Sequence, residues 1–132
     1  MTEAETPMGT MVLRTACFPR DTNYAGDIFG GFLMSQMDIA AGMAARVAAQ
    51  GRVATVAVES MVFHKPVKVG DVLCCYAHLE KRGVTSITHR VQAWVFRQGL
   101  PPREKVTEGM FTFVALNEDG SKRPLPPEEI GE

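Results

Sequence analysis

DTNYAGDIFGGFLMSQMDIAAGMAARVAAQG, residues 21–51, is the stretch whose reading decides the fold. Its first part belongs to a segment, Pro19 to Asp27, that is dense in turn formers: Pro19, Asp21, Asn23 and Gly26. From Ile28 the pattern changes. Phe32, Leu33, Met37, Ala40, Ala41, Ala44, Val47 and Ala48 recur at helical spacing. Asp27 is placed to cap this helix, since a short carboxylate accepts the free amide protons of a first turn. Gly51 is placed to end it. The helix is apolar almost all round until Arg46, the pattern of a helix buried on most of its sides.

On either side of this helix the chain reads as strands. Met11 to Cys17 precedes it. Arg52 to His64, Val72 to Glu80, Val84 to Phe96 and Lys105 to Leu116 follow, rich in β-branched and aromatic residues. The connections are the turn PVKVGD at 66–71, a tight Lys81–Gly83 link and a loop at 98–103 that holds Gly99, Pro101 and Pro102. Residues 1–10 read as a disordered lead, and 121–132 as a Pro-rich tail, extended or mobile. The expectation is one α+β domain over 11–120, with an antiparallel sheet of about five strands curled around one long helix.

Composition narrows the function classes. A chain of 132 residues fits one domain whose core is modest, so self-association is a natural way to bury more surface. A net charge of −1 argues against a non-specific nucleic-acid binder, and no basic run would hold the chain to an anionic membrane. Asp38 and several polar residues interrupt the apolar run 28–45, which argues against a membrane span. The N-terminus MTEAETPMGT lacks the marks of a signal peptide. Cys17 and the adjacent pair Cys74–Cys75 make a poor disulfide framework, and neighbours on a strand point to opposite faces. A cytoplasmic setting is expected, with no metal site.

Asp38 is the only ionisable side chain between Ile28 and Ala45. Desolvating a carboxylate raises its affinity for a proton, which brings a poor base closer to usefulness near neutral pH. The plainer alternative is that Asp38 bonds neighbouring backbone or sits at a wet subunit seam. Gly30 and Gly31 open the backbone at the helix start, where free amide protons and the positive helix end favour an anion or a developing oxyanion. Close packing against the sheet would explain the same glycines. Cys17 has no basic neighbour in sequence to make it a thiolate nucleophile.

The segment 21–38, DTNYAGDIFGGFLMSQMD, closely resembles the YciA-type acyl-CoA thioesterases of the hotdog superfamily. The likeness continues through GRVATVAVESMVFHKPVKVGDVLCCYA, KRGVTSIT and TEGMFTFVAL, so it leaves out only the two ends. The resemblance implies a hotdog fold and a dimer whose sheets join edge to edge, commonly built into a trimer of dimers. Each active site would draw on both subunits. Asp38 matches the family's catalytic aspartate, and Asn23 the polar loop residue that works with it from the opposing subunit. Gly30 and Gly31 match the region credited with polarising the thioester carbonyl. The substrate implied is acyl-CoA, with CoA a part of substrate and product and no separate cofactor.

Lys81 and Arg82 are candidates for CoA phosphates, and Thr85 and Ser86 for the pantetheine arm; an ordinary solvated hairpin would show the same residues. Phe32, Met34 and Met37 are candidates for the acyl pocket, or simply core. His64, His78 and His89 all lie outside the loop-to-helix segment, where hotdog dehydratases and hydratases carry their histidine. Two further readings stand beside the hydrolase: a non-catalytic acyl-CoA binding or sensing module, and a hydrolase acting on acyl-carrier protein through Lys65, Lys68, Lys81 and Arg82.

Overall fold

In the computed structural model, residues 5–128 are described. Strand β1 (Thr10–Ala16) leads through a short 3-10 turn (Pro19–Asp21) to helix α1 (Gly30–Ala49). Four strands follow: β2 (Val53–Phe63), β3 (Val72–Arg82), β4 (Ser86–Arg97) and β5 (Leu100–Ala115). They form one five-stranded sheet in the order β1-β3-β4-β5-β2, antiparallel throughout. A single helix lies across it, which is the hotdog arrangement.

The helix seats itself through small and flexible side chains. Leu33, Met37, Ala40, Ala41 and Ala45 are buried against Leu73, Val91, Val95, Phe111 and Phe113 of the sheet. The alanines let the backbone approach the curved sheet closely, and Met37 fills what remains. Cys75 belongs to this core and Cys74 to a second cluster with Tyr76 and Trp94, so the adjacent cysteines do face opposite ways. All three cysteines are free and buried.

Several details differ from the sequence reading. The helix is not covered on most sides: Ile39 is 48% exposed, Met43 52% and Val47 78%. One five-stranded sheet wraps only part of a helix's circumference. Phe29, not Asp27, is the N-cap, and the Asp27 carboxylate pairs with Lys68 instead. At the other end Gln50 takes the left-handed conformation expected of Gly51 (φ 54°). Strand β5 begins at Leu100, so the loop expected at 98–103 shrinks to Gln98 and Gly99, both with positive φ as in a tight hairpin turn. Pro101 and Pro102 are tolerated because β2 pairs with β5 only from Thr107 onward, which leaves the start of β5 without a neighbour on that side. Lys81 and Arg82 belong to β3 rather than to the connection after it.

Residues 121–128 are extended and held: the Leu125 amide donates to the Val84 carbonyl at 2.8 Å, and Leu125 packs on the core. Residues 1–4 of the expected lead and 129–132 of the expected tail lie outside the described residues. Among the described residues no helix is long and apolar enough to cross a membrane. No group of three or more His, Cys, Asp or Glu stands together as a metal site among them.

Candidate active site

The loop before α1 is bonded to itself. The Asn23 side-chain oxygen accepts the backbone amides of Ala25 (2.9 Å) and Asp27 (3.1 Å), while the Asn23 backbone N–H donates to the Asp27 carbonyl (2.7 Å). Gly26 supplies the left-handed residue that closes this turn (φ 86°). With the oxygen engaged, the side-chain nitrogen of Asn23 has no acceptor among the described residues, and the residue is exposed. It is a donor held in place and left free.

The loop is also anchored from below. The amide of Ile28 donates to the Val67 carbonyl at 2.9 Å, which ties it to the turn at 66–71. That turn rests on Asp71, only 1% exposed, whose carboxylate accepts the amides of Lys68 (2.9 Å) and Gln98 (3.0 Å) and a guanidinium N–H of Arg97 (2.8 Å). Such a buried anion is stable only because its lone pairs are so fully occupied.

Gly30 and Gly31 open α1. Their amides are among those that a helix start leaves without intrahelical partners. A Cβ at Gly30 would stand 3.3 Å from the Phe63 ring, and one at Gly31 3.3 Å from the Phe29 ring. Close packing against the sheet therefore explains Gly30, whereas Gly31 is crowded by the N-cap ring and not by the sheet. Asn23, Asp27, Gly30, Phe63, His64 and Lys65 border a shallow cleft of about 300 Å³.

Asp38 is elsewhere. It is half-buried on the β2 flank of α1, where the Thr55 hydroxyl donates to its carboxylate at 2.8 Å. Its surroundings in the protomer are wetter than the sequence reading supposed. From Gly30 to Asp38 is 38 − 30 = 8 residues, about 12 Å along the helix axis. The protomer therefore brings Asn23 and Gly30 together and holds Asp38 apart from both.

The remaining candidates divide. Met37 is fully buried, a core side chain rather than a pocket wall. Phe32 and Met34 are half-buried at the margin of the core. Lys81, Arg82, Thr85 and Ser86 lie at the C-terminal end of α1, a helix length from Gly30. Arg82 borders a cleft there with Val47 and Gln50, and its guanidinium donates to the Pro126 carbonyl. The Thr85 carbonyl accepts the amide of Ala115, and Ser86 begins β4.

Thr55 was not found from the sequence: one threonine in a Val-rich strand carries no signal of which helix residue it meets. The cysteines supply no nucleophile, because burial, with Asp71 and Asp21 adding to it, pushes the Cys17 thiol up to about 11. Cys75, more deeply buried, is pushed up to about 12. His89 is buried, its Nδ1 has no partner among the described residues, and burial and then the nearby His78 lower its pKa. The arrangement thus offers a carboxylate with a hydroxyl donor on one flank, and free N–H donors with no strong nucleophile at the helix start.

Comparison with known proteins converges on one family. The model of the thioesterase superfamily matches residues 25–101. An acyl-CoA thioester hydrolase YciA of Salmonella typhimurium is 54% identical over 124 residues, covering 92% of this chain and 93% of the relative. The solved structure of a hexameric thioesterase from Yersinia pestis superposes with a TM-score of 0.89 at 52% identity, over 92% of this chain and 99% of the other. An acyl-CoA hydrolase of Staphylococcus aureus, solved with butyryl coenzyme A, coenzyme A and coenzyme A disulfide, gives a TM-score of 0.80 at 32% identity, over 86% and 70% of the two chains.

Proposed function

The chain belongs to the thioesterase superfamily, among the YciA-type hotdog enzymes, and from this we propose that it hydrolyses acyl-CoA thioesters to free CoA and a carboxylic acid. The observation that carries the mechanism is the separation of Asp38 from Asn23 and Gly30 within one protomer. About 12 Å of helix axis is too far for the three to meet around one thioester carbonyl. A second copy supplies the missing half: Asp38 of one subunit faces Asn23, Gly30 and Gly31 of the other. The exposed apolar side chains of the edge strand β2, Val56, Val58 and Val62, fit this assembly. Relatives described as hexameric support a trimer of such dimers.

In this site the amides of Gly30 and Gly31 polarise the thioester oxygen, and the free nitrogen of Asn23 donates to that oxygen or to the attacking water. Asp38, held by the Thr55 hydroxyl, takes a proton from the water as its oxygen attacks the carbonyl carbon. The C–S bond then breaks, and the CoA thiolate leaves and is protonated. Direct attack by Asp38 through a mixed anhydride uses the same geometry, and we favour the water route. Phe32 and Met34 border the acyl group, and Lys81, Arg82, Thr85 and Ser86 are the candidates for the outer part of CoA.

The test is a panel of acyl-CoAs, short, long and aromatic, offered to the wild type and to Asp38→Asn. Turnover by the wild type that collapses in a folded Asp38→Asn variant supports the assignment. Binding of acyl-CoA without turnover by the wild type would point to a sensing module, and turnover only of acyl-carrier protein to the third reading.

A further inference from the structure

Three cations near the start of α1 are neutralised. Lys68 pairs with Asp27, Lys65 with Glu104, and Arg97 with both Asp71 and Glu104. The C-terminal end of the helix differs. Arg46, Arg52 and Arg123 line one open cleft there, and among the described residues none of the three pairs with a carboxylate. Arg52 donates to the Glu118 carbonyl (3.0 Å) and Arg123 to the Leu116 carbonyl (2.9 Å). Charge near the helix start is therefore built into the scaffold, and Arg97 is its hub.

The Arg97 guanidinium makes three bonds at once. One terminal nitrogen donates to the Pro66 carbonyl and to the Asp71 carboxylate, each at 2.8 Å, and Nε donates to Glu104 at 2.9 Å. Glu104 offers its other oxygen to the Lys65 ammonium at 3.0 Å. Asp71 also accepts the backbone amide of Lys68, whose side chain reaches Asp27 in the loop before the helix. Lys65, Pro66 and Lys68 are thus tied, directly or through one carboxylate, to a single side chain. Val67, among them, gives its carbonyl to the Ile28 amide. Lys65, Pro66 and Val67 border the same cleft as Asn23, Ile28 and Gly30, whereas Arg97 does not border it.

Resting on the hydrolase reading, we infer that Arg97 is a positioning residue for the reaction: it holds the turn 65–68 against the loop that carries Asn23. It acts through that turn and not on the thioester. The fork explains why the residue is arginine. A planar guanidinium gives fixed N–H directions to two carboxylates and a carbonyl, whereas an ammonium gives charge without fixed directions. A turn that slips carries the loop with it through the bond from Ile28 to Val67, and a misplacement of about 1 Å is enough to slow a reaction severely. Arg90 provides the contrast. It lies on the same strand, pairs with two carboxylates, Glu80 and Glu108, and its side chain is 33% exposed against 32% for Arg97. It stands 97 − 90 = 7 residues away along β4, about 23 Å. Neither it nor its two partners border the cleft.

The experiment measures acyl-CoA hydrolysis by the wild type, Arg97→Gln, Arg97→Lys and Arg90→Gln, each well below its melting temperature. It adds the pair Asn23→Ala and Asn23→Ala/Arg97→Gln. The expected result is a kcat lowered about tenfold in Arg97→Gln with KM little changed, a smaller loss in Arg97→Lys, and less than about a twofold change in Arg90→Gln. In the Asn23→Ala background the loop is already loose, so Arg97→Gln should lower kcat there by about threefold at most. A folded Arg97→Gln with wild-type kcat overturns the positioning role. So does an equal fall in Arg90→Gln, or the same loss repeated in the Asn23→Ala background. Should Arg97→Gln not fold, Arg97→Lys against Arg90→Gln carries the same comparison. A wild type without turnover would defeat the hydrolase reading instead. Hydrogen exchange then still decides the role of Arg97: faster exchange of the Ile28 amide in Arg97→Gln but not in Arg90→Gln supports it, and unchanged exchange in both overturns it.

Discussion

The two ends of α1 use charge and hydrogen bonds in opposite ways. At its start, loop and turn are saturated: the Asn23 oxygen, the Asp27 carboxylate and all of Asp71 are occupied. What remains free there is a set of neutral N–H donors, those of Gly30, Gly31 and the Asn23 side chain. At its end the guanidinium groups are aimed by carbonyls and keep their charge. Under the proposed function the first design would fix dipoles where a carbonyl oxygen gains charge, the place where rigidity counts most. Asp38 stands between them on the open flank.

The contrast can be broken most severely at Asp38. Asp38→Asn keeps the shape and removes the base, so kcat should fall by about 10²–10⁴-fold while thermal unfolding stays near wild type. A variant that retains turnover would show that the carboxylate is structural. At the saturated end, Asn23→Ala should lower kcat by about 10²-fold with KM little changed, which steady-state kinetics can read. It should also loosen the loop, because the Ala25 and Asp27 amides lose their acceptor.

Asp71→Ala tests the anchor beneath that loop. It strips three donors of one buried acceptor and should cost about 3 kcal/mol in denaturant unfolding, with kcat falling as the loop loses its seat. Thr55→Val removes the hydroxyl that holds Asp38, and a loss of about tenfold in kcat with little change in stability is expected. The smallest effect concerns pH. Burial lowers the folded-state pKa of His89, so on acidification the unfolded chain takes up this proton first. Stability from this residue is full above about pH 6.5 and declines as pH falls from there toward the folded-state value. His89→Gln should flatten the fall in melting temperature between neutral and mildly acidic pH.

The sequence carries much of the fold because two periods alternate along it. The 3.6-residue spacing from Phe32 to Ala48 and the β-branched runs on either side are strong signals, and all five strands and the helix overlap the segments those signals mark, with β3 and β5 longer than expected. What escaped depends on neighbours. Pro101 and Pro102 looked like loop residues because proline breaks a paired strand, but this part of β5 has no β2 neighbour to lose. Asp27 looked like a cap because nothing in the sequence tells it of Lys68, 41 positions away.

The site was legible in the same uneven way. Asp38 stood out as a lone charge in an apolar run, whereas Thr55 and Asp71 have ordinary residue types in ordinary segments. The network around Arg97 joins a turn to two strands, and no spacing in one dimension links Lys65, Asp71, Arg97 and Glu104.

The central claim is that Asp38 and Asn23 act together only across two subunits. Mixing tests it directly. Asp38→Asn and Asn23→Ala are purified separately, dissociated, combined and reassembled, and acyl-CoA hydrolysis is measured. A site shared between subunits predicts that the mixture recovers to about a quarter of wild-type activity, because random pairing makes half of the dimers mixed and each mixed dimer holds one intact site. A mixture that reassembles yet stays as inactive as its two components would contradict the shared site and place both residues in one protomer's chemistry.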